Sequence, residues 1–330
     1  MEAATIQHGG RPDTGRPPPS RLPDRLLRWG LTGIAAGVLV LIGYFFIRLY
    51  LESRPVFSAY GIIDFVLTDA WIPSKDRFGA LPLIVGTLIT SGIALLIGVP
   101  VAVASALYVT ELAPVRIRQP LIILVELLAA VPSVVYGLWG VFVLIPKLKP
   151  AEQWVSDSFS FLPFVGGTVA GPNYFIAGLI LAIMILPIVA AISREVMATV
   201  PVEQKEAALA LGATRWEMIR MAVLPYSRAG ISGAAMLGLG RAIGETIAAT
   251  LVIGNAPQIA DSIFGQGYTL AAVIANEFGE AAATPTHRAA LIAAGLVLFV
   301  LTLVINFVAR YFVNRSQRAM TRSVPTGMAG

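Results

Sequence analysis

The sequence predicts an all-α membrane protein with six transmembrane helices. Of its 330 residues, 56% are apolar and only 13% are charged, against roughly 25% charged in an ordinary soluble domain. The mean hydropathy is +0.77. A soluble fold of this size needs a charged shell, so lipid must replace water around much of this chain.

Six apolar runs are each long enough to cross roughly 30 Å of hydrocarbon as a helix. They cover residues 29–47, 80–109, 121–145, 174–193, 230–253 and 289–313. Pro100, Pro132 and Pro187 lie inside three of these runs. We expect kinks there rather than helix ends, because neighbouring helices can satisfy the freed carbonyls.

The distribution of Lys and Arg predicts the orientation of the chain. Sixteen of these residues lie on the side that holds both termini and seven on the other side. Because cytoplasmic segments carry the excess, both termini are expected in the cytoplasm. Residues 48–79, 146–173 and 254–288 then face outward, and residues 268–278 predict a short interfacial helix.

Composition also excludes several classes of chemistry. Cysteine is absent and only two histidines occur, which removes disulfides, thiol nucleophiles, Cys/His metal sites and nearly all His-based acid-base pairs. None of the four lysines has the phosphate-loop spacing. The basic residues are scattered at the ends of apolar runs, so no nucleic acid partner is expected. We expect no cofactor, no metal and no enzyme activity, and membrane lipid as the surroundings.

The chain divides into four segments. Residues 1–28 are rich in proline and arginine and predict a disordered cytoplasmic tail. Residues 29–79 hold the first transmembrane helix and an external loop, and residues 80–313 form the core transmembrane domain. Residues 314–330 form a cytoplasmic tail.

The longest cytoplasmic loop, residues 201–225, is called the coupling loop below. Its first part predicts a helix that begins at a proline and stops at Gly212. A second helix follows, which we expect Pro225 to close. With Leu209 and Leu211 available to enter a groove, this helix-Gly-helix loop suits docking of a cytoplasmic partner. An ordinary interfacial helical loop is the alternative.

The coupling loop resembles the EAA loop of ABC importer permeases, and this resemblance implies insertion into a cleft of an ATP-binding subunit. One position departs from the family pattern, because Ala222 stands where isoleucine is usual and Ile219 lies one turn earlier, which predicts a weaker hydrophobic grip. The residues that carry the resemblance are Glu206, Ala207, Ala208, Gly212, Leu224 and Pro225.

Four further stretches are similar to the phosphate-specific transport permeases of the Pst systems, a family within the ABC importers. They are residues 86–91, 109–111, 126–137 and 239–246. The resemblance extends over about residues 57–315. It implies a type I ABC importer permease fold in the bacterial cytoplasmic membrane, with phosphate as cargo. It also implies a second homologous permease subunit, an ATP-binding subunit dimer and an external phosphate-binding protein as partners.

Arg241 lies in the middle of a predicted span, where a lone arginine costs about 2.5–3.5 kcal/mol. It therefore needs a partner or a wet cavity. Glu245 follows four residues later on the same helix face, close enough to pair. Two interpretations remain open: Arg241 contacts the transported anion and Glu245 holds it when the path is empty, or the two form a structural ion pair that locks helices, with Gly240 and Gly244 as packing residues.

Three more residues complete the predicted substrate pathway. Glu126 lies near the cytoplasmic start of its span and either lines the path or is anchored by a neighbouring helix, the interpretation we favour. Thr87 and Ser133 offer hydroxyl donors to an anion, although such hydroxyls commonly bond their own helix.

Three alternative functions stay open. One keeps the class and changes the cargo to molybdate, sulfate or phosphonate. Another is a proton-coupled secondary transporter with Arg241, Glu245 and Glu126 as a relay, and the last is a non-transporting structural membrane protein. Only the importer class requires a helix-Gly-helix docking loop.

Overall fold

A computed structural model of the chain describes residues 22–281 and 284–321. The described residues form two units, one up to Arg48 and one from Leu49. The helices and strands are α1 (Leu22–Tyr60), α2 (Ile62–Leu67), β1 (Trp71–Ile72), β2 (Arg77–Phe78), α3 (Leu81–Leu107), α4 (Val115–Ala130), α5 (Ser133–Trp139), α6 (Ile145–Ser158), α7 (Tyr174–Ala198), α8 (Val202–Ala210), α9 (Arg215–Met218), α10 (Leu224–Gly244), α11 (Ile247–Val252), α12 (Leu270–Ala281) and α13 (Pro285–Thr321). Short π-helical turns occur at Tyr108–Leu112, Gly140–Leu144 and Ile219–Val223.

Among the described residues, five helices are long and apolar enough to cross a membrane. They are Arg25–Tyr60, Leu81–Leu112, Ser133–Ser158, Tyr174–Ala198 and Pro285–Tyr311. The predicted count of six is therefore not reached, because the run 230–253 is divided between α10 and α11. The predicted disordered tail, residues 1–28, lies outside the described residues up to residue 21 and is helical from Leu22.

Helices α3, α7 and α10 pack together at the centre of the second unit. Small residues allow this packing: a Cβ on Gly238 of α10 would lie 2.8 Å from Cγ2 of Val189 in α7. Pro100 lies inside α3 and Pro187 inside α7, and both helices continue through their proline. As the sequence predicts, neither proline ends its helix.

A half-buried carboxylate, that of Glu277, joins three elements of the chain. The carboxylate of Glu277 on α12 accepts a hydrogen bond from the indole N–H of Trp71 at 2.9 Å and meets Nε2 of His287 at 2.8 Å. Phe78 stacks on the His287 ring with centroids 5.5 Å apart. The β1–β2 hairpin, α12 and the start of α13 are thereby tied together.

Helix α12 differs from the predicted interfacial helix. Its first turn is buried in the core, with Leu270 and Val273 fully inaccessible. Just before it, burial raises the pKa of Tyr268 to about 12. The start of the stretch is therefore interior, because its apolar residues pack with α3 and α13, whereas Phe278 in its second half is 54% exposed.

Candidate functional site

The predicted third span is broken at Val131 and Pro132. Helix α4 ends at Ala130, Val131 has ψ 126° and Pro132 has ψ 143°, and α5 begins at Ser133. Proline disfavours helical geometry in the residue before it and brings no N–H of its own. The expectation that Pro132 only kinks a continuous helix is therefore wrong. Neighbouring groups satisfy the freed backbone, since the hydroxyl of Tyr136 donates to the Leu128 carbonyl at 2.7 Å.

The predicted fifth span is broken at Glu245. Helix α10 ends at Gly244, Glu245 is extended with φ −70° and ψ 126°, and α11 begins at Ile247. The backbone N–H of Ala248 donates to the Glu245 carboxylate at 3.4 Å. This carboxylate therefore serves one of the N–H groups that the start of α11 leaves without a helical partner.

This break overturns one geometric expectation. Arg241 and Glu245 do not share the face of one helix, because the helix ends between them. No ion pair joins the two side chains within the described chain. The structure therefore does not contain the structural ion pair between Arg241 and Glu245.

The two breaks lie next to each other. Helix α11 packs against α5, and a Cβ on Gly137 would lie 2.6 Å from Cδ1 of Leu251 and 3.2 Å from Cα of Ala248. Only glycine permits this approach of the two backbones. Ser133 lies about one helical turn before this contact on α5, and Glu245 lies about one turn before it on the other chain segment. The predicted residues Ser133 and Glu245 thus each lie about one turn from the same helix contact.

Arg241 lies in the last turn of α10, beside this contact. Its side chain is exposed, and its charge acts electrostatically on the hydroxyl of Tyr136. The space beside Gly240 and Gly244 is open, since a Cβ on either would meet no other part of the described chain within 4 Å. The two glycines therefore leave room for an approaching group instead of packing a helix of this chain.

Thr87 lies on α3, next to the start of α12. Its side chain is buried, and its hydroxyl donates to the Leu83 carbonyl at 2.7 Å and accepts from the Leu270 N–H at 3.0 Å. Thr90 and Ser91 likewise bond carbonyls of their own helix. The Thr87 hydroxyl thus joins α3 to the start of α12.

Glu126 pairs with a neighbouring helix. Its Oε1 lies 3.3 Å from Nη2 of Arg194 on α7, while more than half of the Glu126 side chain stays exposed. This contact agrees with the anchor interpretation, and Glu126 lies in the last part of α4, five residues before Val131.

The coupling loop has the predicted helix-Gly-helix form. Helix α8 ends at Ala210, and Gly212 has φ +84°, a left-handed conformation that favours glycine. Thr214 then begins α9 with a capping box, in which its hydroxyl accepts from the Glu217 N–H and the Glu217 carboxylate accepts from the Thr214 N–H. Gly212 is therefore confirmed as the stop of the first helix.

Pro225 does not close the second helix. The chain passes from α9 through the π turn Ile219–Val223 directly into α10, with Pro225 in its first turn. Inside this continuous helix Pro225 removes one backbone donor, and the turn before it is the π turn. The wider π turn before it removes the expected conflict, so the helix continues to Gly244.

One face of the coupling loop is exposed and the other is packed. Leu211 is 90% exposed and Leu209 43% exposed, while Glu206 and Ala207 also face outward. Ala208 turns inward onto the cluster that contains Met218, Ile219 and Val223. The loop therefore exposes apolar side chains on one face, while its other face packs against the rest of the chain.

The charge of Glu217 is stabilised by the capping box. Hydrogen bonds from the backbone N–H and the hydroxyl of Thr214 hold the pKa of Glu217 below its usual value. A carboxylate here also suits the positive end of the following helix.

Sequence reasoning missed the ion pair between Lys205 and Glu111. The Lys205 Nζ lies 2.6 Å from Glu111 Oε1, across 94 positions of sequence. No periodicity relates positions so far apart. Its only sequence signal is the opposite charge of two residues, one after α3 and one in the coupling loop.

The structure contains interrupted helices, an arginine that no ion pair of the described chain neutralises and an exposed helix-Gly-helix loop. These features suit one class of protein: the membrane permease of an importer driven by a separate ATPase. The family model described as "Binding-protein-dependent transport system inner membrane component" matches residues 98–318. The chain belongs to this family, and it is a multi-pass membrane protein.

Two curated relatives support this assignment, and one solved structure supports the fold. The phosphate transport system permease protein PstC of Mesorhizobium japonicum is 44% identical over 299 residues, 89% of this chain and 91% of that protein. PstC of Haemophilus influenzae is 42% identical over 286 residues, 85% and 90% of the two chains. A bacterial ABC transporter for import of the acidic polysaccharide alginate has a TM-score of 0.55 at 20% identity, covering 90% of this chain and 99% of that one. The predicted ABC importer permease fold is confirmed.

Proposed function

We propose that this chain is the membrane-spanning subunit of an ATP-driven importer that carries inorganic phosphate across the cytoplasmic membrane. Family membership and the two phosphate transport relatives support the cargo. ATP hydrolysis belongs to a separate subunit in this family, and the chain itself is not an enzyme.

The observation that carries the proposal is Arg241 at the junction of the two broken helices. A guanidinium donates two parallel hydrogen bonds to a tetrahedral oxyanion, and this pairing is stronger in a low-dielectric path than in water. With no ion pair to Arg241 in the described chain, the charge is available to the anion. Glu245 instead caps α11, and Ser133 adds a hydroxyl at the neighbouring break.

The remaining pathway residues have supporting roles in this proposal. Glu126 keeps α4 attached to α7 through Arg194, at the cytoplasmic end of the path. Thr87 fixes the start of α12 at the opposite end. Neither residue needs to contact the anion for the path to form.

The coupling loop receives the ATP-binding subunit dimer. Its exposed Leu211 and Leu209 supply the apolar contact, and Gly212 sets the angle between the two helices. A second homologous permease subunit completes the path, and an external phosphate-binding protein delivers the cargo. The sixteen to seven distribution of basic residues supports cytoplasmic termini.

Uptake measurements test the cargo. In a strain deleted for its own phosphate importer, the chain with its partner subunits should restore uptake of radioactive phosphate, and excess sulfate or molybdate should not compete. Uptake should follow cellular ATP and persist when the proton gradient is collapsed. Competition by sulfate or molybdate would assign another oxyanion, and loss of uptake with the proton gradient would assign a secondary transporter.

Replacement of Gly212 by valine tests the coupling loop. A β-branched residue at φ +84° is strained, so we expect the turn to distort and the ATP-binding subunit to be lost from the purified complex. Ala213→Val adds similar bulk at the next position and should leave assembly intact. Co-purification at wild-type yield together with normal uptake in Gly212→Val would contradict the docking role.

Cysteine labelling tests the orientation, since the chain has no cysteine of its own. Asp261 and Leu211 are both exposed and lie in loops on opposite sides of the proposed topology. A membrane-impermeant reagent should label Asp261→Cys in intact cells and Leu211→Cys only after the cells are broken. The reverse pattern would invert the topology.

A further inference from the structure

Helix α8 of the coupling loop is joined to the transmembrane part by an ion pair. Lys205 Nζ lies 2.6 Å from Glu111 Oε1, and only 19% and 7% of the two side chains are exposed. Removing one partner of such a pair leaves the other charge buried and alone, which is strongly unfavourable. The contact therefore holds α8 firmly against the segment that carries Glu111.

That segment is the π turn Tyr108–Leu112 at the end of α3. The guanidinium of Arg118, in the first part of α4, donates to the Thr110 carbonyl of this turn at 3.0 Å. The chain between the two helices is short, with Ala113 extended and Pro114 preceding α4. The α3–α4 corner, residues 108–118, is thus bonded to α4 on one side and to α8 on the other.

The two interrupted helices are connected to the coupling loop in different ways. Helix α10 continues the loop directly through α9 and the π turn, and it ends at the Glu245 break. Helix α4 ends at the Pro132 break and has no such direct chain connection to the loop. The Lys205–Glu111 pair adds a charged connection through the α3–α4 corner, beside the apolar cluster that joins Ala106 of α3 to Ile219 and the Glu126–Arg194 pair between α4 and α7.

We propose that the Lys205–Glu111 ion pair is the mechanical link by which movement of the coupling loop reaches the α3–α4 corner, and through α4 the break at Pro132. Both interrupted helices then respond together to one ATPase. Lys205 and Glu111 are positioning residues and contact no substrate. The inference rests on the proposed function and assigns a role to the Val109-Thr110-Glu111 stretch.

The test uses the whole complex in proteoliposomes, with the external binding protein, inorganic phosphate and ATP. Lys205→Gln and Glu111→Gln should assemble with the ATP-binding subunit and still hydrolyse ATP. The phosphate imported per ATP hydrolysed should fall by at least about fivefold, the lower end of ordinary coupling between sites. The binding protein should also cease to stimulate hydrolysis.

Matched variants separate this link from a loss of local stability. Arg116→Gln removes an exposed charge at the same corner and should leave the ratio unchanged. Lys205→Arg keeps the charge and should keep the ratio near wild type, and the exchange Lys205→Glu with Glu111→Lys should recover most of it.

Three outcomes would overturn the inference: an unchanged ratio in both single variants, a fall in subunit yield at an unchanged ratio, or a fall of equal size in Arg116→Gln. If the wild-type complex imports no phosphate, the proposed cargo fails instead. Stimulation of ATP hydrolysis by the binding protein then still reports on the link, because it does not depend on which anion is carried.

Discussion

The two broken helices meet at one place but are broken by different means. At the first break, Pro132 forces Val131 out of helical geometry, and the Tyr136 hydroxyl serves the Leu128 carbonyl. At the second, no proline is present, and the Glu245 carboxylate accepts from the Ala248 N–H. The first break is fixed by the covalent structure of proline, whereas at the second a carboxylate that can change partners bonds the next helix. Arg241 lies in the last helical turn before this second break.

The largest effect that this comparison predicts follows removal of the charge next to the second break. Arg241→Gln should abolish phosphate uptake while the complex still assembles. Two charge-assisted hydrogen bonds to the anion are lost, each worth about 1.5–3 kcal/mol. Uptake of radioactive phosphate and the yield of purified complex are the two measurements.

The double variant Arg241→Gln with Glu245→Gln sharpens the result. It removes both charges, and glutamine can still accept from the Ala248 N–H, so assembly should be normal and uptake absent. Restored uptake in the double variant would refute the contact between Arg241 and the anion. A loss of yield in the single variant that the double variant repairs would instead indicate a structural pair.

A smaller effect is expected from loosening the first break. Pro132→Ala removes the restriction on Val131, and α4 and α5 become free to join. The conformational constraint that proline supplies is about 0.4–1 kcal/mol, so uptake should fall roughly two- to fivefold. Pro187→Ala is the matched control, because Pro187 lies inside a helix that continues through it. Equal losses in both variants would show that the break itself is unimportant.

The smallest effect concerns Glu217, which lies outside both breaks at the start of the helix that leads to the second one. Because its folded pKa is lowered, its contribution to stability is present above the unfolded pKa and is lost as the pH falls through the folded value. Wild-type thermal stability should therefore decline on acidification below the usual pKa of glutamate. Glu217→Gln should remove this component of the pH dependence and leave uptake at neutral pH intact; an identical pH profile in the variant would contradict it.

Local sequence signals were sufficient for much of this architecture. Apolar runs located the helices, and Gly212 marked the end of α8 because a left-handed residue favours glycine. The restriction that proline places on the residue before it also points to a break at Val131, but the unbroken apolar run around it favours a continuous helix. Pro225 misled for the opposite reason, since a π turn accommodates it.

The candidate site was predicted less completely than the helices. Arg241 was recognisable because a charge inside an apolar run is expensive. The end of α10 at Gly244 was not, since Glu245 has good helical propensity and its extended conformation depends on the contact with Ala248 in the next helix. The Lys205–Glu111 pair depends on how α8 lies against the end of α3, which no short-range pattern encodes.

The π turn Ile219–Val223 holds one residue more than the α-helical turn it replaces. Each residue of an α-helix rotates the side-chain direction by about 100° around the helix axis. This extra residue therefore sets the direction in which the side chains of α10 project relative to the coupling loop. The direction of the Arg241 side chain therefore depends on a turn about five helical turns away from it. Deleting a single residue there would leave α10 intact in length and composition while directing the Arg241 guanidinium elsewhere.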